Sequence, residues 1–398
     1  MRILRLPLSY RSRTAIGGAI FALLFQSNAR AQDDAGEHRR FETEFHALMQ
    51  ADWQGRTEAE SSDSSVTLRR ARVGVKGTAF RYVEYELERS LRKTEQWWRD
   101  AYVNVPLSRM LEVKGGRFKV PFSREQLTSA GNLDLINRSL GAAYLAPGRD
   151  TGLIAHGRFL GRRVRYEAGA FRGGGDNVRD SERRDPRHGA LSAGRVVVRP
   201  WGDDTAPALL RDVSAGAALT TGRVPAGAYS VRGNTIADVP FFPVTVVQGR
   251  RQRYGVELGW RTGPLAVMGE AMRVTDQRLG QSTDDGRLPD ILADAWNVTG
   301  TWHITGTRQD LPGAVALVVR AEDFRIRSRS GEWTPGNSRG EAIMPRADRA
   351  WTVGVTWSLL RFFRIQGNAV REWREDDGVP VAGRSRRWRP MMRFQFQL

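Results

Sequence analysis

The side chains able to do chemistry in this 398-residue chain are overwhelmingly arginines. Basic residues number 62 against 44 acidic ones, for a formal net charge of +18, and the only lysines are Lys76, Lys93, Lys114 and Lys119. Guanidinium groups grip phosphate and carboxylate oxygens bidentately and stay charged at physiological pH. Codon usage in a GC-rich genome accounts for the ratio of arginine to lysine. The excess of positive over negative charge is a separate property, and it points to anionic partners. Groups suited to catalysis are scarce. There is no cysteine, which removes thiol chemistry and cysteine metal sites. His38, His46, His156, His188 and His303 are scattered, with no pair at metal-ligand spacing. Gly173-Gly174-Gly175-Asp176 opens an arginine-rich stretch rather than a helix, so it is no nucleotide fingerprint. No catalytic group, cofactor or metal is expected. An enzyme would need a serine and His303 brought together in space.

What must position the arginines is a succession of half-buried strands. Apolar and polar residues alternate through Trp296 to Ile304 and again through Trp351 to Leu359. From Arg163 to Phe171, Val164, Tyr166, Ala168 and Ala170 oppose Arg163, Arg165 and Glu167. From Arg253 to Arg261, Tyr254, Val256, Leu258 and Trp260 oppose Arg253, Glu257 and Arg261. Sixteen such segments begin near positions 41, 66, 80, 97, 110, 151, 162, 190, 211, 252, 263, 294, 312, 347, 362 and 386. Some are joined by tight turns, such as Gly77-Thr78-Ala79, Leu160-Gly161-Arg162, Thr262-Gly263-Pro264 and Leu360-Arg361. Others are joined by long polar stretches: Gly173 to Gly189, Gly222 to Arg251, Thr275 to Pro289 and Ser328 to Arg346. Short turns alternating with long loops predict an all-β fold, a transmembrane antiparallel β-barrel of about sixteen strands. A soluble sandwich has no reason for that asymmetry. The mean hydropathy of −0.47 does not count against a barrel, because every second strand residue faces water.

The N-terminus fits export. Arg2, Arg5, Arg11 and Arg13 precede an apolar stretch from Ala15 to Phe25, and Ala29-Arg30-Ala31 offers small residues for cleavage. As a helix those eleven residues rise only about 16 Å, too short to span a bilayer. Residues 1–31 are therefore expected to be a signal peptide and 32–398 the barrel domain, placed in a bacterial outer membrane. In such a barrel the polar phase faces the lumen. That assigns inward Arg72, Lys76, Tyr82, Glu84, Glu86, Asp100, Tyr102, Lys114, Arg163, Arg165, Arg253, Arg261, Arg320 and Arg364, with Arg387, Arg389 and Arg393 of the last strand. A lumen ringed by arginine and lysine favours anions over cations. Glu84, Glu86 and Glu88 share one strand face, where they either hold neighbouring arginines or balance charge across the lumen. Arginines phased with strand alternation argue against nucleic acid as a partner. Trp388, Pro390, Met392, Phe394, Phe396 and Leu398 form one face of the final strand. This pattern resembles the signal read by the barrel assembly machinery, although the usual terminal residue is phenylalanine.

The block from Leu68-Arg69-Arg70-Ala71-Arg72 through Asp100-Ala101-Tyr102 to Gly116-Arg117-Phe118-Lys119-Val120-Pro121-Phe122 resembles the phosphate-selective porin O/P family. The resemblance resumes at Ile136-Asn137-Arg138-Ser139-Leu140, Pro147-Gly148-Arg149-Asp150 and Tyr166 to Asn177. It implies a homotrimeric, sixteen-stranded porin in contact with outer-membrane lipid. It also implies a loop after the fifth strand, here Lys119 to Arg149, that folds into the lumen. The apolar content of that loop (Pro121-Phe122, Leu127, Leu133, Leu135, Ile136, Leu140) suits a packed segment better than an exposed one. Pore-lining positions implied by the match are Arg69, Arg70 and Arg72, Asp100 and Tyr102, and Arg117, Lys119 and Arg124; the lumen phase adds Lys76 and Lys114. Strict alternation sends Arg69 outward if Arg70 faces in, unless a bulge or the membrane rim intervenes. The function implied is passive diffusion of phosphate or related anions. The alternatives are a general or organic-acid porin, or an outer-membrane enzyme or adhesin on the same scaffold.

Overall fold

The structure, a computed structural model, describes residues 41–55, 66–80, 82–92, 98–173, 189–202, 205–236, 240–242, 245–282, 286–305, 312–331, 342–381 and 388–398. The expected signal peptide and Arg387 lie outside these. Sixteen long strands follow in chain order: β1 (Phe41–Gln54), β2 (Val66–Ala79), β3 (Val83–Ser90), β4 (Trp98–Pro106), β5 (Glu112–Lys119), β6 (Arg149–Phe159), β7 (Val164–Phe171), β8 (Leu191–Val198), β9 (Ser214–Tyr229), β10 (Val246–Thr262), β11 (Leu265–Arg278), β12 (Leu288–His303), β13 (Ala314–Ser328), β14 (Arg346–Leu360), β15 (Phe363–Asp376) and β16 (Arg389–Gln397). Each pairs with its neighbours, and β16 pairs antiparallel with β1 from Leu48 opposite Gln397 to Gln54 opposite Met391. The sheet is a closed antiparallel barrel with no free edge, which satisfies every strand backbone within a membrane.

The two faces follow the alternation. On β14, Trp351, Val353, Val355 and Trp357 are exposed outward, while Thr352 and Thr356 are buried in the lumen. On β12, Trp296, Val298 and Trp302 point out, opposite Asn297, Thr299, Thr301 and His303. Two inward assignments change. Tyr82 and Arg163 sit exposed in the turns after β2 and β6, where the chain reverses rather than continuing the pleat. The first turn also falls later than expected: Gly77-Thr78-Ala79 still pair with β3.

The connection from β5 to β6 enters the lumen. Pro121 cannot donate to a ladder, so it ends β5, and a one-turn helix follows (Arg124–Leu127), capped by the Ser123 hydroxyl accepting from Gln126 N–H at 3.1 Å. Val120, Leu135, Ile136, Ala142 and Leu145 are at most 1% exposed, and burying each larger one is worth roughly 1.5–3 kcal/mol. A second connection also folds inward. Phe241 and Phe242, which the sequence placed in a polar outer loop, are buried, Phe241 meeting Phe324 edge to face at 5.4 Å, with Tyr144 of the first loop stacked on Phe324.

Irregular backbone in the lumen needs partners for its polar groups, and wall side chains supply them. Gln395 and Arg364 donate to Gly131 O at 2.9 and 2.6 Å, and Gln366 donates to Leu133 O and Asp134 O at 3.0 and 3.1 Å. Arg393 donates to Ile136 O (2.6 Å), Arg320 to Asn137 O (3.0 Å) and Arg253 to Leu145 O (2.9 Å). Wall carboxylates take loop N–H groups: Glu270 accepts from Arg124 N at 2.6 Å and Glu322 from Leu140 N at 2.6 Å. The loop is thus fastened to β10–β16. This changes the meaning of several inward arginines: Arg253, Arg320, Arg364 and Arg393 hold loop carbonyls.

Gly116 shows how tightly the opposite wall is built. Its φ is +127°, and an added Cβ would lie 2.3 Å from Ala101 O and 2.7 Å from Tyr102 Cα. Gly116→Ala is expected to lower unfolding stability by about 3 kcal/mol, combining strain and clash. Gly115→Ala would meet only the Leu153 Cδ1 at 3.3 Å and is expected to cost less than about 1 kcal/mol. Urea unfolding in micelles, followed by tryptophan fluorescence, compares the two.

Candidate anion passage between the inward loop and the β2–β6 wall

With the loop tied to the far wall, an opening remains against β2–β6. It is a cavity of about 320 Å³ lined by Arg70 and Arg72 of β2, Glu86 and Glu88 of β3, Arg99, Asp100 and Tyr102 of β4, and Lys114, Phe118 and Lys119 of β5. Arg149 and Glu167 of the next two strands and Gln126, Ser129 and Arg138 of the loop complete it. Seven cations face four carboxylates. The local surplus is three positive charges.

The acids orient the cations. Arg149 donates to Asp100 Oδ2 through Nε at 3.0 Å and Nη2 at 2.6 Å. Glu88 lies 3.8 Å from both Arg72 and Arg149, whereas Glu84, on the same face, accepts from Asn104 at 2.9 Å. Tyr102 donates to Glu86 Oε2 at 2.8 Å, and Lys114 Nζ stands 4.4 Å from the Tyr102 ring centre. Lys119 donates to Leu127 O and Thr128 O at 2.9 and 2.8 Å, and Arg138 donates to Thr128 O at 2.6 Å. Burial pushes the Arg138 guanidinium down to about 10, which leaves it charged at neutral pH.

Of the ten sequence-derived positions, Arg70, Arg72, Asp100, Tyr102, Lys114 and Lys119 come together here. Arg69 is exposed on the outward phase, as alternation requires without a bulge. Arg117 lies on the phase opposite Phe118, its Nε donating to Trp98 O at 3.2 Å. Lys76 pairs with Glu44 at 3.1 Å near the short-turn end. Arg124 belongs to a second cavity of about 510 Å³, with Asp134, Arg199, Asp212, Arg261, His303 and Arg364. The inward loop is a wall of both. Sequence reasoning missed Arg99, Arg138 and Arg149 as residues lining this cavity, although Arg138 and Arg149 stand inside quoted family segments. Ser214 and His303 both line the second cavity, but the Ser214 hydroxyl donates to Gly259 O and accepts from Arg124. His46, Glu86 and Glu88, from β1 and β3, also converge, and there Arg72 and Arg149 already balance Glu88 while Glu86 accepts from Tyr102.

The sequence model of the phosphate-selective porin O and P family matches residues 43–398. The chain belongs to this family. Solved outer-membrane proteins share the porin's fold at low identity. The loop-L8 deletion mutant of OmpT from Vibrio cholerae superposes with a TM-score of 0.60 at 12% identity, covering 90% of this chain and 100% of that one. A trimer form of OmpT from the same organism gives 0.56 at 11%, covering 90% and 99%. The anion-selective porin from Comamonas acidovorans gives 0.57 at 14%, covering 90% and 100%. A search of curated protein sequences gives no match. Family and fold place this porin in the bacterial outer membrane as a channel.

Proposed function

We propose that this porin is an anion-preferring channel through which phosphate or related small anions diffuse passively, with no chemical step. The observation that carries the reading is the surplus of cations where the inward loop leaves its opening: Arg70, Arg72, Arg99, Lys114, Lys119, Arg138 and Arg149 against four carboxylates. Fixed positive charge at a constriction raises anion occupancy and repels cations. Hydrogen bonds donated to loop carbonyls fix Lys119 and Arg138, so these charges meet a solute already oriented. The chain is exported with residues 1–31 as a cleaved signal peptide, is recognised through its C-terminal strand by the barrel assembly machinery, and works as a homotrimer among outer-membrane lipids. An organic-anion channel is the second reading, favoured by the Tyr102 and Phe118 rings beside Lys114.

Planar-bilayer recordings of the purified porin in a potassium chloride gradient are expected to give a reversal potential of anion-selective sign. Millimolar phosphate should reduce the chloride current more than an equal concentration of a dicarboxylate. A cation-selective sign would overturn the proposal, and stronger block by the dicarboxylate would favour the second reading.

A further inference from the structure

The outer surface of β11–β15 carries charges at a level where a lipid-facing wall turns polar, and they are arranged around an apolar slot. In register across β12–β15, Trp296, Asp323, Arg349 and Trp373 stand side by side. One pleat toward the short turns come Val298, Ala321, Trp351 and Arg371, and one pleat toward the long loops Asp294, Arg325, Ala347 and Glu375. From Trp351 to Leu360 the exposed residues of β14 are apolar. Nine residues of strand tilted by roughly 40° rise about 23 Å, close to the height of a barrel's apolar band. Arg349 therefore lies at that band's upper edge, on the long-loop side.

Ion pairs tie the charges together. Asp323 takes Arg325 Nε at 2.7 Å and Arg349 Nε at 2.8 Å, and Glu375 takes Arg349 Nη1 at 2.9 Å. Asp294 takes Arg273 Nε at 2.5 Å and Arg327 Nη1 at 2.8 Å. Arg371 stacks over Trp373, 5.1 Å from the ring centre. Four arginines share three carboxylates and Arg371 adds a fifth positive charge, which leaves the patch cationic. Beneath them a cavity of about 330 Å³ opens between Trp296, Trp351 and Trp373, with Asp323, Arg349 and Glu375 at its polar edge. A belt of tryptophans alone is what any such barrel shows. An apolar slot that ends under surplus guanidinium groups complements one kind of molecule, an acyl chain carrying an anionic phosphate.

We propose that this face is a binding site for an anionic phospholipid-type amphiphile of the outer leaflet. Its acyl chain occupies the slot between the three tryptophans, and its phosphate meets Arg325, Arg349 and Arg371. Phosphate is held by guanidinium groups bidentately, and the shared carboxylates keep those groups extended along the wall.

Native mass spectrometry of the full-length porin with added dioleoyl phosphatidylglycerol or dioleoyl phosphatidylcholine tests this. The protein is expected to retain phosphatidylglycerol at least fivefold more than phosphatidylcholine. Arg325→Gln with Arg371→Gln should abolish that preference, whereas Trp351→Ala should lower retention of both lipids. Single-channel conductance of each variant should match the parent, which shows that the barrel is folded and separates this site from the pore. Equal retention of the two lipids by the parent, or an unchanged preference in the arginine variant, overturns the proposal. So does conversion of trimer to monomer with lipid retention unaltered, which would make the face an interface between copies.

Discussion

Replacing Arg70, Arg99 and Lys114 together by glutamine is expected to erase the anion preference proposed for this porin. All three line the opening between loop and wall, and replacing them brings its seven cations down to four, equal to the four carboxylates. The choice avoids Lys119 and Arg138, whose loss would free the loop carbonyls they hold and confuse charge with shape. In a water-filled passage one charge about 7 Å from a permeating ion contributes roughly 0.6 kcal/mol, so three contribute roughly 1.8 kcal/mol. That corresponds to about a twentyfold fall in anion occupancy of the passage and a comparable rise for cations at low salt, and less at high salt, where screening weakens each charge. The reversal potential in a salt gradient measures it directly. Adding Arg72→Gln should push the preference to cations, since carboxylates then outnumber cations. Unchanged selectivity in the triple variant would mean that ions pass elsewhere in the lumen and that this cavity is not the constriction.

The strands were legible because their alternation is a local property. Fourteen of the sixteen start within three residues of where alternation places them; β10 and β12 start at Val246 and Leu288, six residues before expectation. Those two extend past the apolar band toward the long loops, where pairing continues around polar residues such as Gln248, Arg250 and Arg278 and no hydropathy contrast marks the strand. The inward loop was legible from its apolar content. By the same argument Phe241 and Phe242 mark a second inward segment, but their partners Phe324 and Tyr144 lie far away in the chain.

The site was half legible for a related reason. Alternation gives the side of the sheet a residue takes, and Arg72, Tyr102 and Lys114, taken inward on that ground, line the lumen cavity beside Arg70, which the family resemblance singled out. It cannot say what an inward arginine meets. Arg320 and Arg393 have the same phase as Arg72, yet they end on loop carbonyls some 180 and 260 residues away in sequence. Arg138 and Arg149 belong to the loop and its exit, where no period exists to assign them. The distinction between a charge that serves the solute and one that serves the fold lives in tertiary contacts alone.

Arg393→Ala is expected to weaken the barrel more than any pore-lining substitution. Arg393 is fully buried, and its guanidinium donates to both Asp52 oxygens at 2.6 Å and to Ile136 O at 2.6 Å. Asp52 and Arg393 are direct cross-strand partners at the β1–β16 seam, so one side chain joins the closure of the barrel to the inward loop. Removing it leaves Asp52, 2% exposed, as an uncompensated buried carboxylate, and leaves the Ile136 carbonyl without its donor. Breaking a buried pair from one side costs about 3–5 kcal/mol, and an orphaned carbonyl adds about 1–3 kcal/mol. Urea unfolding in micelles should therefore shift to markedly lower denaturant. With one tether of Leu135 and Ile136 gone, single-channel current should also become noisier as the loop moves. The double variant Asp52→Asn with Arg393→Gln removes both charges while keeping donors for the seam and for Ile136 O. It should recover at least half of the lost stability. Equal instability of the double and single variants would show that the guanidinium's shape and its hold on the loop, rather than the unpaired charge, set the cost.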